Sequence, residues 1–308
     1  MNKLLVILGP NASGKSDLAI KIAKQFSGEI ISADSRQVYK ELNIGSGKVP
    51  IDKKTNGEYC SQGIRHYLLN VVDPKEYFSV AQYQKLARQA IESIQKSGKL
   101  PILCGGAGLY ISAIIEGWQF PDVPPNQALR QSLSNLSKEA LYHQLQTIDS
   151  QRALNIDKNN KRRLLRALEI SLNQKKPITP LKKVLPPYDI LILGIETEPE
   201  KLKIKIEKRL DERLNQGMIE EVKKLKEKGI SSQRLEDFGL EYRWINRYLE
   251  NKIGFSEMRK SLLQESWQYA KRQKTWFRKI KNIHWIREYN TAIELISNWL
   301  GKNQNPVF

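Results

Sequence analysis

At 308 residues and 40% hydrophobic content, the chain has room for one large domain or two modest ones around a real core. Two cysteines, Cys60 and Cys104, exclude a disulfide framework and a zinc cluster, and no apolar run approaches the length of a bilayer span. The net charge of +18 is a large excess for a small-molecule enzyme and points to a polyanionic partner such as nucleic acid.

The first predicted element is an apolar strand, Lys3 to Leu8, entered at once from the N-terminus. That leaves no space for a signal peptide, so the expectation is a cytoplasmic protein with reduced thiols. The strand runs into Gly9-Pro10-Asn11-Ala12-Ser13-Gly14-Lys15-Ser16, which fits G-x-x-x-x-G-K-[ST]. In this motif backbone amides wrap phosphate oxygens, the lysine reaches the outer phosphate and the last hydroxyl goes to Mg2+. A helix follows, with Leu18, Ile22 and Phe26 on one face.

The next strand, Glu29 to Ser32, leads to Ala33-Asp34-Ser35-Arg36-Gln37. This places the Asp34 carboxylate at a strand end where it could face the cradle and take a proton; the alternative is a turn or N-cap aspartate. A glycine-rich loop is expected over about 40–65, and Leu68 to Asp73 reads as a strand leaving into a loop at Pro74. A helix over Val80 to Gln95 and a strand over Leu100 to Cys104 lead into Gly105-Gly-Ala-Gly-Leu-Tyr110 and a further helix. The Leu100–Cys104 strand ends in glycine rather than the acid that an NTPase uses to hold Mg2+, which weakens ATP hydrolysis without excluding a nucleotide.

The pattern changes after Gly117. Residues 117–187 read as a helical insertion, with helices around 127–148 and 160–174 and a closing run of prolines from Pro177 to Pro187. Asp189 to Gly194 restores a buried strand that rejoins the first sheet, and the remainder reads as helical, ending in a long helix over about 256–281. The expected fold is α/β: a P-loop parallel-sheet core (1–116 plus 188–308) flanked by helices, with a helical insertion domain. Basic residues cluster at Lys161, Arg162, Arg163 and Arg166, and again over Lys271 to Lys279, where cations interleave with Trp276 and Phe277. Such aromatics either stack on unpaired bases or pack inward.

Several segments, in order over nearly the whole chain, resemble the tRNA dimethylallyltransferases (tRNA isopentenyltransferases). They are Gly9 to Ser16, Ile31 to Tyr39, Asn43 to Lys48, Gly105 to Tyr110, Arg163-Leu-Leu-Arg-Ala-Leu-Glu169, Arg209 to Val222 and Tyr269 to Arg278. The resemblance implies transfer of a dimethylallyl group from dimethylallyl diphosphate to N6 of adenosine 37 of tRNA, with Mg2+ at Ser16 and an insertion that clasps the anticodon stem-loop. It implies a catalytic set of Asp34, Lys15, Ser46 and Arg209. It also implies tRNA contacts from Asp34, Ser35, Arg36, Gln37, Ala107, Arg162, Arg163, Leu164, Leu165, Arg166, Lys271 and Arg272. The chain departs from the family pattern at Asn11, Ser46 (which keeps a hydroxyl), Gly47, Ala107 and Glu241, and His66 reads as a structural histidine. Three other readings stay open: an isopentenyltransferase acting on free adenine nucleotides, a small-molecule kinase, and a nucleic-acid-binding protein with a vestigial P-loop. A monomer is the default.

Overall fold

The computed structural model describes residues 2–55, 58–121, 123–124, 126–174 and 182–301. Gly57, Pro125, Pro177 and Pro180, which mark expected loops and the end of the insertion, lie outside these residues. The chain divides into two compact units, Met1–Glu116 with Leu185–Phe308, and Gly117–Val184.

In the larger unit, β1 (Lys3–Leu8) leads to α1 (Lys15–Gln25), then β2 (Gly28–Ala33) and a hairpin of β3 (Lys53–Thr55) and β4 (Glu58–Ser61) that pairs with β5 (Ile64–Tyr67). α2 (Val80–Lys96), β6 (Leu100–Gly105) and α3 (Gly108–Ile115) complete its first half. The smaller unit holds β7 (Trp118–Gln119), α4 (Gln127–Ser134), α5 (Lys138–Ile148), α6 (Ser150–Asn155), α7 (Lys161–Gln174) and β8 (Lys182–Lys183). The chain returns through β9 (Asp189–Ile195), α8 (Pro199–Asn215), α9 (Met218–Glu227), α10 (Ser232–Phe238), α11 (Leu240–Leu249), α12 (Phe255–Phe277), β10 (Ile283–Ile286) and α13 (Tyr289–Leu300).

Eight strands form one sheet in the order β10-β9-β1-β6-β2-β5-β4-β3, parallel from β10 to β5 and antiparallel beyond. Leu4 to Leu8 are completely buried, as expected of a central parallel strand covered by helices on both faces. One face of the sheet packs on α2, α3 and the C-terminal helices, through Tyr83, Ile91, Ile111, Phe238 and Phe277. The other packs on α1 and α13, through Ala19, Ile22, Ala292 and Ile296.

Three expectations are corrected here. The loop over 40–65 contains the β3–β4 hairpin. Residues 68–73 are irregular, with Leu68 and Asn70 at φ 62 and 56, and the pairing strand lies just before them at β5. The C-terminal part is not wholly helical, because β10 adds a short parallel edge strand whose four residues are too few to stand out by alternation.

The smaller unit builds its own core from Leu133, Leu141, Leu145, Leu164 and Leu168. At its centre Glu169, 1% exposed, accepts from Arg130 Nε and Nη2 (both 2.9 Å), from the Asn126 N–H (2.6 Å) and from Arg166 Nη1. Burial pushes this carboxyl up, but the hydrogen bonds from Arg130, Arg166 and Asn126 overcome that and hold it below the ordinary 4.5. A folded-state value below the unfolded one contributes stability above pH 4.5 that is lost as pH falls through the folded value. Glu169→Ala strands two arginines and should destabilise the protein by about 3 kcal/mol, the lower end for a broken buried pair since both arginines reach solvent. A chemical denaturation curve checks this, and wild-type stability above pH 6 would sink it.

Candidate active site

The site lies at the C-terminal tips of β1, β6 and β2, the end of a parallel sheet where ligands bind. β6 runs between the other two, with Leu8 beside Gly105 and Ala33 beside Gly105 on its far side. The loop after β1 and the carboxylate after β2 are thus separated by two strand spacings, roughly 10 Å.

The Gly9–Ser16 loop takes the strand–turn–helix form. Ala12 and Gly14 adopt left-handed backbone (φ 62 and 90), and Gly14 is the N-cap of α1. The first-turn N–H groups of α1 therefore open toward the loop, as an anion site requires. Lys15 Nζ donates to Pro10 O (3.3 Å), leaving donors to spare. Burial lowers the Lys15 pKa; Arg209 and Arg213 lower it further, and Asp34 opposes them. Burial also pushes the neighbouring Cys104 thiol up to about 12, so it stays neutral. Ser13 Oγ is buried and finds no protein partner, so the cradle holds an unmet polar atom. Among the described residues no group of three or more His, Cys, Asp or Glu could hold a metal ion. A lone Ser16 hydroxyl at the start of α1 suits Mg2+, which takes few protein ligands when phosphate oxygens supply the rest.

Asp34 follows β2 directly and is half-buried. Its Oδ1 accepts the N–H groups of Arg36 (2.8 Å) and Gln37 (3.3 Å), which is the turn role. Among the described residues none donates to Oδ2, so one oxygen fixes the turn and the other is left without a hydrogen-bond donor. Ser35 lies in this turn. Arg36 donates to Phe238 O (2.6 Å) and Asp237 O (3.3 Å) at the end of α10, so much of its guanidinium is engaged by the protein. Gln37 accepts from Ser32 Oγ (2.8 Å) and donates to Ser46 O (3.3 Å) and Gly47 O (3.2 Å).

The Asn43–Lys48 loop is clamped from α8 and α9. Glu221 accepts three consecutive N–H groups, those of Asn43 (2.9 Å), Ile44 (2.7 Å) and Gly45 (3.0 Å), and the Tyr242 hydroxyl (3.0 Å). Arg213 donates to Gly45 O (3.2 Å) and to Glu241 (3.1 Å), and Arg209 to Gly47 O (3.4 Å). A Cβ on Gly47 would lie 1.7 Å from Arg213 Nη2 and 2.5 Å from Arg209 Nη2, so a side chain here would displace the ends of these arginines. Burial and then Arg213 lower the Arg209 pKa to about 10. Glu241, at a departure from the family pattern, thus offsets Arg213. Ser46 Oγ donates to Leu42 O. Lys48 Nζ reaches Tyr39 O (2.5 Å), Asn43 Oδ1 (3.1 Å) and Asn70 Oδ1; burial lowers it to about 7 against Glu221 and Asp34.

Ala107 caps α3 at the tip of β6, its N–H donating to Ala33 O (3.0 Å). Lys271 and Arg272 are exposed on α12. Phe277 is completely buried, and Trp276 is half-buried with its indole N–H on Ser112 Oγ (3.1 Å), so both aromatics pack inward. In the smaller unit Arg162 and Arg163 are exposed, Leu165 is half-buried and Arg166 is held by Glu169 and Val123 O (2.9 Å). Leu164 is completely buried in that unit's core. His66 is buried and lowered to about 4, against the pull of Asp52, so it is neutral at physiological pH.

Sequence reasoning missed Glu221, Arg213 and Gln273. Gln273 is buried, accepting the Asn11 N–H and donating to Gly106 O (both 2.9 Å). Its signal was a polar residue on the Ala270–Phe277 core face of a helix.

The sequence profile of a family described as IPP transferase matches residues 37–280. A tRNA dimethylallyltransferase of Acetivibrio thermocellus is 41% identical, with 97% of this chain and 96% of that one covered. The solved tRNA isopentenylpyrophosphate transferase of Bacillus halodurans is 33% identical, with TM-score 0.70 over 98% of this chain and 96% of that one. A eukaryotic dimethylallyltransferase captured acting on tRNA superposes with TM-score 0.78 at 25% identity, over 99% of this chain and 81% of that one.

The Glu221 clamp is open to direct test. Glu221→Gln keeps the size but gives up one acceptor, so the amides of Asn43, Ile44 and Gly45 should exchange hydrogen about tenfold faster or more. Unaltered exchange would show that the loop holds itself.

Proposed function

The chain belongs to the tRNA dimethylallyltransferase family, the IPP transferases, and on that premise we propose how its site carries out the transfer. The protein is a tRNA-modifying prenyl transferase. The reaction takes a dimethylallyl group from dimethylallyl diphosphate to N6 of adenosine 37, beside the anticodon, and releases diphosphate. The observation that carries this reading is the placement of an anion cradle and a half-free carboxylate two strand spacings apart, with the buried cations Lys15 and Arg209 in the same site. That distance suits a short allylic diphosphate lying across the tip of β6.

Each residue's role follows from its surroundings. The loop amides nearest α1, with Lys15, hold the diphosphate; Ser16 would hold Mg2+, which would supply positive charge to the leaving group. Buried cations with few protein partners are stronger ligands for a developing anion than solvated ones. Arg209 faces the same anion from α8, its position set by Gly47. The N6 lone pair attacks allylic C1 as the C1–O bond breaks, the electron pair leaving with diphosphate. The N6 proton passes to Asp34 Oδ2. The base must leave its stack to reach Asp34, and the fixed amide of Gln37 and the turn at Ser35 and Arg36 border its path. Ser46 supports the loop under Gln37, and Ala107 leaves space beside the donor.

The tRNA is expected to lie on exposed cations, Arg162, Arg163, Lys271 and Arg272, while Arg166 serves the fold of the smaller unit. No helix among the described residues is long and apolar enough to cross a membrane, and a cytoplasmic monomer fits the substrate.

Labelled dimethylallyl diphosphate with Mg2+ and either unmodified tRNA or adenine nucleotides tests the reading: label should enter tRNA alone. Label in free nucleotides would favour the other transferase class. Asp34→Asn preserves the Oδ1 acceptor and the turn but removes the base. Transfer should fall by about 10²- to 10⁴-fold with tRNA binding intact. Turnover within tenfold of wild type would remove Asp34 as the base. Replacing Arg162 and Arg163 by glutamine should flatten the salt dependence of tRNA binding by up to roughly two units of slope. An unchanged slope would place the phosphates elsewhere.

A further inference from the structure

Gln273 joins the cradle to the tip of the neighbouring strand through both ends of its amide. It is 4% exposed, and its amide is used at both ends: Oε1 accepts the Asn11 N–H (2.9 Å) and Nε2 donates to Gly106 O (2.9 Å). Asn11 belongs to the loop after β1, and Gly106 to the turn after β6. The approach is close: a Cβ on Gly106 would lie 2.3 Å from Gln273 Nε2.

The helix that carries Gln273 is itself seated against the same turn. Trp276, three residues on, lies so close that a Cβ on Gly108 would come within 2.4 Å of its ring, and its indole N–H reaches Ser112 Oγ. Ala270 and Phe277, on either side, are completely buried. α12 therefore meets the turn with a rigid face, and the amide is held where both loops can use it.

We propose that Gln273 is a positioning residue of the donor site, bracing the phosphate cradle at Asn11 against the β6 tip at Gly106. This rests on the reading of Gly9–Ser16 as the cradle for dimethylallyl diphosphate. The brace turns the Asn11 N–H onto the protein and leaves the amides nearer α1 to face the ligand. It also fixes the distance between cradle and Ala107, along which the allyl group extends. The polarity of the amide is essential, because one end must accept and the other donate.

That requirement gives a signature that simple structural damage lacks. In Gln273→Glu an ionised carboxylate still accepts from Asn11 but turns a lone pair toward Gly106 O and adds negative charge beside an anion site. The protonated acid restores the amide's pattern of one donor and one acceptor. The Kd of dimethylallyl diphosphate, with Mg2+, would be measured for full-length wild type, Gln273→Glu and Gln273→Met from pH 8 down to 5.5. At pH 8 the Glu variant should bind about tenfold more weakly or worse, as for a buried hydrogen bond replaced by a repulsion. Its deficit relative to wild type should shrink as pH falls. The Met variant, which covers failure of the charged variant to fold, should show a deficit of similar size that does not depend on pH. tRNA binding should stay within about twofold for both. Glu or Met variants that bind the diphosphate like wild type, or a Glu deficit that does not move with pH, would overturn the proposal. Wild-type protein that does not bind the diphosphate at all would instead overturn the cradle reading, and the proposal with it.

Discussion

The close approach of β2 and β6 sets the scale of the site. A Cβ on Gly105 would lie 2.1 Å from Ala33 O, and the same carbonyl accepts the Ala107 N–H. Only glycine permits this contact, and with it the two strand tips end level with each other and with Leu8 of β1. The cradle, the Gly106–Ala107 turn and Asp34 then stand in a row, each displaced by one strand width. Substituting at Gly105 would push Asp34 away from the cradle before it touched any functional group.

Around that row the structure resolves a conflict of charge. Lys15, Lys48, Arg209 and Arg213 are drawn together with little water, and burial lowers the first three from their ordinary values. Glu221 and Glu241 keep this tolerable. Each carboxylate does so while making hydrogen bonds that shape the Asn43–Lys48 loop, so charge balance and loop geometry come from the same side chains. Glu221 is held by three backbone N–H groups and a tyrosine, while Glu241 pairs with Arg213. Lys15 and Arg209 are the cations beside which the leaving group of the proposed reaction would gather negative charge.

The basic character of the chain divides in a similar way. Arg36 and Arg166 read from the sequence as substrate contacts, yet their guanidinium groups, like that of Arg213, are largely taken up by carbonyls and carboxylates of the protein. Arginine suits both tasks, since its planar fork binds a carboxylate or a phosphate equally well. Exposed positions such as Arg162, Arg163, Lys271 and Arg272 are left to account for attraction to a polyanion. A net charge of +18 is therefore a sound guide to the kind of partner but a poor guide to which cations meet it.

What the sequence determined by itself was local or cumulative. The Gly9–Ser16 loop was legible because its strand, left-handed glycine and helix are set by neighbouring residues, and the α/β core because apolar runs and helical periods repeat over long stretches. The family was legible because seven short segments keep their order. Tertiary structure alone decided that β6 stands between the cradle and Asp34, that β10 extends the sheet, and that Leu164 faces a core. It also decided the partners of Glu221, Glu241 and Gln273, which sit 178, 28 and 262 residues from the groups they hold. The physical reason is that a hydrogen bond between residues so far apart leaves no periodic trace. Nothing in a buried glutamine's own neighbourhood says which loop its amide will meet until the sheet has brought the strand tips together.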